Sequence, residues 1–229
     1  VAKHYVSEYD GDLKDVCFVF PSRRSSLFFR KYLGLCSPGP MFSPELLTIS
    51  DLFDRLSPYG RADKIELVSI LYKHYVELGA EAGLMCDSFD EFVYKADTLL
   101  SDFNDVDQYN VDAEDLFCNV RDFESIAADY DYLSETQKEA IRNFWKITLD
   151  NSSQRPGKLR FLQIWNILGP LYSAFRQDLA SRGIAYEGMI TREVARMADS
   201  HDSRLEDVLS KYSRIVFVGH NALSVCERK

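Results

Sequence analysis

Three short apolar runs frame the chain: "VCFVF" (Val16 to Phe20), "ELLTI" (Glu45 to Ile49) and "RIVFVG" (Arg214 to Gly219). Runs of this length, rich in β-branched and aromatic residues and lacking polar alternation, suit strands buried on both faces, as in a parallel α/β sheet. Helical signals fill almost all of the sequence between the second run and the third. The expected architecture is an α/β layer over 1–58 and 206–229, interrupted by a mostly α-helical insertion over 59–205. No internal repeat or low-complexity tract breaks this plan.

The insertion announces its helices locally. In "SFDEFVYKADTLLSDF", Phe89, Phe92, Val93, Ala96, Leu99, Leu100 and Phe103 recur at helical spacing, and Ser88 with Glu91 has the form of a capping box. Ser134 with Gln137 marks a second start, leading into Ala140, Ile141, Phe144 and Trp145. After the loop "NSSQRPG", a long helix is expected that Pro170 kinks and Gly183 ends. Ser224 with Glu227 forms a further capping box two residues before the last one, so the sequence reads as a piece of a longer protein whose next helix has only begun.

Charge is unevenly distributed. The formal net charge is −9, which argues against nucleic acid binding over the whole surface. Yet the segment from Asp87 to Asp150 holds 17 of the 36 acidic residues and only 5 of the 27 Lys and Arg residues. The flanks that carry the strands are therefore mildly basic. No stretch approaches the roughly 18 apolar residues of a membrane span, and the N-terminus lacks the apolar centre of a secretory signal, so no membrane partner and a cytoplasmic location are expected. Cys17, Cys36, Cys86, Cys118 and Cys226 are scattered, with neither two-residue spacing nor histidine partners, and read as reduced thiols rather than zinc ligands.

The richest candidate site is "FPSRRSSLFFRKYL". A nucleotide-binding fold carries a glycine-rich cradle after its first strand, followed by a lysine and a serine or threonine. Here the turn offers Pro21, Ser22, Arg23 and Arg24 and no glycine. The hydroxyls of Ser22, Ser25 and Ser26 and the first free amides of the following helix form an anion site by geometry and dipole, with Arg23 and Arg24 adding charge. A nucleic-acid phosphate suits such a turn, since guanidinium groups pair with phosphate without reading sequence. A solvated basic turn with Ser22 as an ordinary N-cap remains the competing reading.

Other candidates carry less. The acidic run "SDFNDVDQYNVDAED" fails the EF-hand register, because Val106 and Tyr109 fall at ligand positions and no glycine is present; it reads as a solvated connection between helices with Asp or Ser caps. No Gly-x-Ser-x-Gly elbow or cysteine with a plausible base appears, so no catalytic residue is assigned. His220 lies just past the third strand, where α/β sites collect, but a lone loop histidine is more often structural. Arg155, Lys158 and Arg160 offer an electrostatic contact in a loop that opens a helix.

Taken in order, these segments resemble a helicase scaffold. "CFVFPSRRSSLFF" resembles motif Ia of superfamily 1 helicases and of the AddB-type subunits of bacterial double-strand-break-processing nucleases. "LLTISDLFDRL" resembles motif Ib, and "RIVFVGHNAL" stands where motif II, the Walker B strand, belongs. The phrases "SRRSSLFFRKYL", "SDFNDVDQY", "DYLSETQ" and "GIAYEGMITREVA" are similar to AddB-like proteins from Bacteroidetes whose C-terminal portion is a PD-(D/E)XK nuclease. The resemblance implies a P-loop-NTPase-like 1A core, incomplete at its C-terminus, with a 1B-like insertion, in a parent of the exodeoxyribonuclease type. Motif II of an ATPase supplies an Asp for magnesium and a Glu to activate water. Here the corresponding residues are Val218, Gly219, His220 and Asn221, and no Gly-Lys-Thr loop occurs, so ATP hydrolysis and a bound cofactor are not expected of this segment.

By that resemblance, Ser22, Arg23 and Arg24, with Thr48 and Ser50 from the second strand end, are expected to hold DNA, either single-stranded or at a duplex end, while a partner such as an AddA-like helicase subunit supplies the motor. The competing expectation is an interaction scaffold whose acidic, aromatic-rich insertion docks a helicase subunit or the parent's own nuclease half. A positive concave surface at the strand ends favours DNA, and a large exposed apolar patch favours docking.

Overall fold

The computed structural model of the chain describes residues 1–10, 12–117 and 156–229. They form a mixed α/β structure, mostly helical, that divides into two compact units: Val1–Arg61, Asp107–Asn110 and Gly183–Lys229 in the first, and Ala62–Val106 and Val111–Arg182 in the second. The expected insertion over 59–205 thus corresponds to a unit that closes at Arg182, and residues 183–205 are grouped with the sheet.

The first unit opens with α1 (Ala2–Glu8), β1 (Val16–Phe20) and α2 (Arg23–Cys36), followed by β2 (Glu45–Thr48) and α3 (Ile49–Leu56). A two-residue strand, β3 (Gly60–Arg61), pairs in parallel with β4 (Ile184–Ala185). The second unit contains α4 (Lys64–Glu81), α5 (Phe89–Gln108, whose last two residues belong to the first unit), α6 (Ala113–Leu116) and α7 (Pro156–Ser181). The chain then returns through α8 (Glu187–Asp199), α9 (Ser203–Leu209), β5 (Arg214–Phe217) and a 3-10 turn at Cys226–Arg228. Helices are numbered over the described residues.

The three apolar runs meet as predicted in one parallel sheet of order β2-β1-β5. Phe18 lies opposite Leu46 on one side and Val216 on the other. All five residues of β1 are buried, because helices cover both faces. Val16, Phe18 and Phe20 pack against Val6 of α1 and Phe29 and Leu33 of α2. On the opposite face, Cys17 and Val19 pack with Leu47, with Leu52 of α3 and with Leu209 and Ile215. The rings of Phe18 and Phe29 lie 4.6 Å apart, and truncating a phenylalanine so enclosed costs about 3 to 5 kcal/mol.

The expectation of burial on both faces fails for the outer strands. β2 is mostly half-buried, and β5 leaves Phe217 57% exposed. Each pairs along only one side among the described residues, so its outward edge and part of one face are uncovered. The second run also ends as a strand one residue early. Thr48 becomes the N-cap of α3, its hydroxyl accepting from the Asp51 amide at 3.1 Å while the Asp51 carboxylate accepts from the Thr48 amide at 3.0 Å. That reciprocal capping box forces Ile49 into the helix.

The second unit has its own core. The stripe on α5 buries Phe92, Ala96 and Phe103, while Phe89 and Val93 stay at its exposed margin. Phe92 stacks on Tyr75 of α4 at 4.7 Å, and Phe103 meets Tyr172 of α7 edge-on at 5.2 Å. His74 of α4 and Asp178 of α7 join at 2.9 Å. Gly79 makes room for Cys86, since a Cβ there would lie 2.4 Å from the Cys86 sulfur and the thiol would have to move. At the start of α5, the Glu91 carboxylate accepts from the amide and hydroxyl of Ser88.

Helix α7 runs through Pro170 and stops at Ser181, and Gly183 follows in the left-handed region at φ +70°, as a glycine after a helix end does. The expected start at Ser134 and Gln137, and Arg155, lie outside the described residues. Lys158 and Arg160 fall in the first turns of α7 rather than in a loop. The capping box of Ser224 and Glu227 is formed in both directions, at 2.7 and 3.3 Å, and leads into the 3-10 turn.

The acidic run departs furthest from expectation. Helix α5 continues through Gln108, so most of "SDFNDVDQYNVDAED" is helical, and only Asp112 acts as a cap, on the amides of Glu114 and Asp115. Asp107 is not solvated at all: it is fully buried and accepts from the Tyr186 hydroxyl and from Arg192. Among the described residues, no group of three or more acids, histidines or cysteines is placed to hold a metal ion.

Candidate nucleic-acid interface

The parallel strands bring the ends of β1 and β2 to one rim of the sheet. After Phe20 the chain turns through Pro21, and Ser22, extended at φ −154° and ψ 155°, caps α2 by accepting from the Ser25 amide at 3.3 Å. The hydroxyls of Ser22 and Ser25 lie 3.0 Å apart. Ser26 turns its hydroxyl back to the Arg23 carbonyl at 2.8 Å, so it serves the helix rather than an outside ligand.

Arg23 and Arg24 diverge. The Arg23 side chain is 86% exposed and its guanidinium sits 3.6 Å from the Asp51 carboxylate, a surface pair worth little in water. Arg24 is exposed and, among the described residues, makes no ion pair. The amides of the first turn of α2 that the Ser22 cap leaves free add a partial positive charge at this end of the helix.

The second strand end is committed differently from expectation. Thr48 donates its hydroxyl to Asp51 at 2.6 Å and accepts from the Asp51 amide, so its one donor is engaged in the capping box. These bonds from the Thr48 hydroxyl and amide, with Arg23 close by, hold the Asp51 carboxyl below the usual carboxylate range. Ser50 donates to Glu187 of α8 at 2.7 Å, and Arg61 grips Asp54 through Nε and Nη2. A cleft of about 510 Å³ opens between α2 and α3, lined by Arg23, Ser26, Thr48, Asp51, Asp54 and Arg55. Its arginines face two carboxylates, so it is charge-balanced rather than positive.

Of the five expected residues, the structure therefore brings Ser22, Arg23 and Thr48 to one rim, turns Ser50 toward α8, and sets Arg24 on the outer side of α2. In this structure the hydroxyls of Thr48 and Ser50 both donate to carboxylates within the fold. Beneath the rim, Glu45, Arg55 and Tyr212 form a closed triad, with Arg55 and Tyr212 each 2.5 Å from the Glu45 carboxylate. The bond from Arg55 lowers the Glu45 carboxyl, whereas burial and the bond to Glu45 push the Tyr212 phenol up to about 12.

At the third strand end, the Val218 amide donates to Val19 at 2.9 Å, Gly219 turns the chain at φ +75°, and the His220 ring nitrogen lies 3.2 Å from the Val19 carbonyl. His220 fastens the loop to the central strand. Residues 218–221 supply no carboxylate.

Sequence reasoning missed the outer face of α2. Phe29 and Leu33 point into the core, while Leu27, Phe28, Tyr32 and Leu35 are exposed beside Arg24 and Lys31. The signal was present in the periodicity: 24, 28, 31 and 35 lie on one side of a helix and 29 and 33 on the other. Among the described residues, no helix is long and apolar enough to cross a membrane. No protein-family model matches the chain, and no curated protein matches it.

Proposed function

We propose that this chain is a non-catalytic, helicase-like DNA-binding segment, of the kind found in AddB-type break-processing nucleases, and that it holds a single-stranded backbone at the N-terminal turn of α2. The observation that supports it is the pair Arg23 and Arg24, exposed beside the free amides of α2 at the end of the central parallel strand. The parallel sheet with helices on both faces, and the absence of carboxylates in 218–221, accord with a P-loop-like scaffold that has lost its hydrolytic residues. Arg24 is available to a phosphate at once, and Arg23 on exchange of its long contact with Asp51. The interface is thus narrower than the sequence suggests, with two arginines and Ser22 rather than five residues.

Each cation that neutralises a phosphate of a single strand contributes about 0.7 to the slope of log affinity against log salt. Replacing both Arg23 and Arg24 by Ala should flatten that slope by about 1.4, measured by anisotropy of a labelled oligonucleotide. An unchanged slope removes them from the site.

One observation favours the second reading, a docking scaffold for an AddA-like helicase subunit or a nuclease half: Leu27, Leu35 and Phe217 of the first unit are exposed apolar residues with no charge to offer a phosphate. Failure to bind any oligonucleotide at low salt would favour it.

A further inference from the structure

The outward side of α2 alternates two kinds of side chain. Arg24, Phe28, Lys31 and Leu35 follow one another at spacings of four, three and four residues and form one row along the helix, with Tyr32 on its shoulder. Phe28 and Tyr32 are each 56% exposed, unusual for two aromatic rings one turn apart on a helix whose core residues, Phe29 and Leu33, are both buried. The helix carries four cations, Arg23, Arg24, Arg30 and Lys31, and no acidic residue, in a chain whose net charge is −9.

A groove runs along the same shoulder. Its volume is about 580 Å³, and Phe20, Ser25, Phe28, Tyr32, Val218 and Gly219 contribute to its walls. The lining is mainly apolar, and Phe28 and Tyr32 contribute to it while remaining exposed. A cavity of this size is within the range of small-molecule sites, yet its walls offer few groups that would orient a specific ligand. Flat rings beside a row of cations suit a ligand whose own flat rings alternate with negative charges.

We propose that this face holds unpaired bases of single-stranded nucleic acid, stacked on Phe28 and Tyr32, while Arg24 and Lys31 take the intervening phosphates. The inference rests on the proposal that the Arg23–Arg24 turn engages a nucleic-acid backbone, and it adds where the bases go. Charge complementarity selects this occupant: Arg24 and Lys31 stand in the same row as the ring of Phe28, on a helix with no acidic residue, so a ligand that alternates flat rings with negative charges matches the face more fully than an apolar protein segment does. Stacking is indifferent to base identity, because every base has a π-face, so binding here is expected without strong sequence preference.

The test uses the chain with two probes, a labelled single-stranded oligonucleotide and the same oligonucleotide with its central bases replaced by abasic sites. Phe28→Ala and Tyr32→Ala should each weaken binding of the normal oligonucleotide about tenfold at fixed salt, leave its salt slope unchanged, and barely alter binding of the abasic strand. Arg24→Ala should lower the slope for both probes. Leu27→Ala, which removes a side chain 61% exposed but not flat, should change neither, and unchanged thermal unfolding of all these surface variants verifies their folding.

If both probes bind equally in a salt-dependent way and the ring variants have no effect, the stacking proposal falls while the phosphate contact stands. If neither probe binds at low salt, the backbone reading falls and takes this one with it. If Leu27→Ala weakens binding as much as Phe28→Ala, the face is a general apolar surface and base stacking is overturned.

Discussion

Replacing Asp107 by Ala probes a buried polar link within the first unit. Its side chain is 0% exposed, the Arg192 guanidinium approaches one carboxylate oxygen at 3.2 Å, and the Tyr186 hydroxyl donates to the other. Removing the carboxylate takes this counter-charge from a partly buried arginine, and breaking such a pair costs about 3 to 5 kcal/mol. At about 2 to 4 °C per kcal/mol for a chain of this size, a loss of about 3 kcal/mol lowers the melting temperature by about 6 to 12 °C. Asp107→Asn keeps an acceptor for Tyr186 and should cost less. The combined Asp107→Ala and Arg192→Met change removes both charges and should restore part of the loss, because an apolar pair of similar volume incurs no desolvation penalty. Urea unfolding at constant m-value measures all three variants. A loss of under about 1 kcal/mol for Asp107→Ala, or a double variant as unstable as the sum of the singles, would refute the reasoning.

Three further outcomes are expected. Since the Asp51 carboxyl is held low in the folded protein, its contribution is present above the unfolded value of about 3.9 and lost as pH falls through the folded one; Thr48→Ala should cost about 1 kcal/mol at neutral pH and progressively less in acid, and a pH-independent difference in urea stability would contradict the capping role. Tyr212 titrates in the opposite sense: its phenol is raised to about 12, so its support is complete below about 10 and lost as pH rises through about 12, and phenolate absorbance should show a late-titrating group that Tyr212→Phe removes. Among the described cysteines, Cys36 is exposed, whereas Cys17 lies in the central strand with its thiol raised by burial, and secondarily by Glu45, to about 11; a thiol reagent at mild alkaline pH should label Cys36 first, and equal labelling of Cys17 would contradict the buried strand.

What was legible depended on how local its cause was. The strands of Val16–Phe20 and Arg214–Phe217 are apolar runs that declare themselves, and their parallel pairing followed. That only β1 is buried on both faces was not legible, because burial depends on which strand has neighbours on both sides. Thr48 illustrates a signal present but read for another purpose: Thr-x-x-Asp is a capping pattern, and the hydroxyl it commits was expected to serve a ligand. Ser50 was beyond local reasoning, since its partner Glu187 lies 137 residues away. Asp107 sits in an acidic run that reads as solvated, and its partners Tyr186 and Arg192 lie 79 and 85 residues further on. The placement of Arg23 and Arg24 in the first turn of α2 was legible because a strand, a capping serine and a helix follow one another within a few residues. The exposure of Phe28 and Tyr32 was signalled by the helical periodicity but masked, because "LFF" beside a buried Phe29 reads first as core.

The central claim is that the end of β1 and the first turn of α2 hold nucleic acid without hydrolysing nucleotide. The direct measurement is binding of a fluorescent single-stranded oligonucleotide to the chain over a salt series, repeated with ATP as competitor. Binding that weakens steeply with salt and is indifferent to ATP is predicted. No binding at low salt, or displacement of the oligonucleotide by ATP, would contradict it.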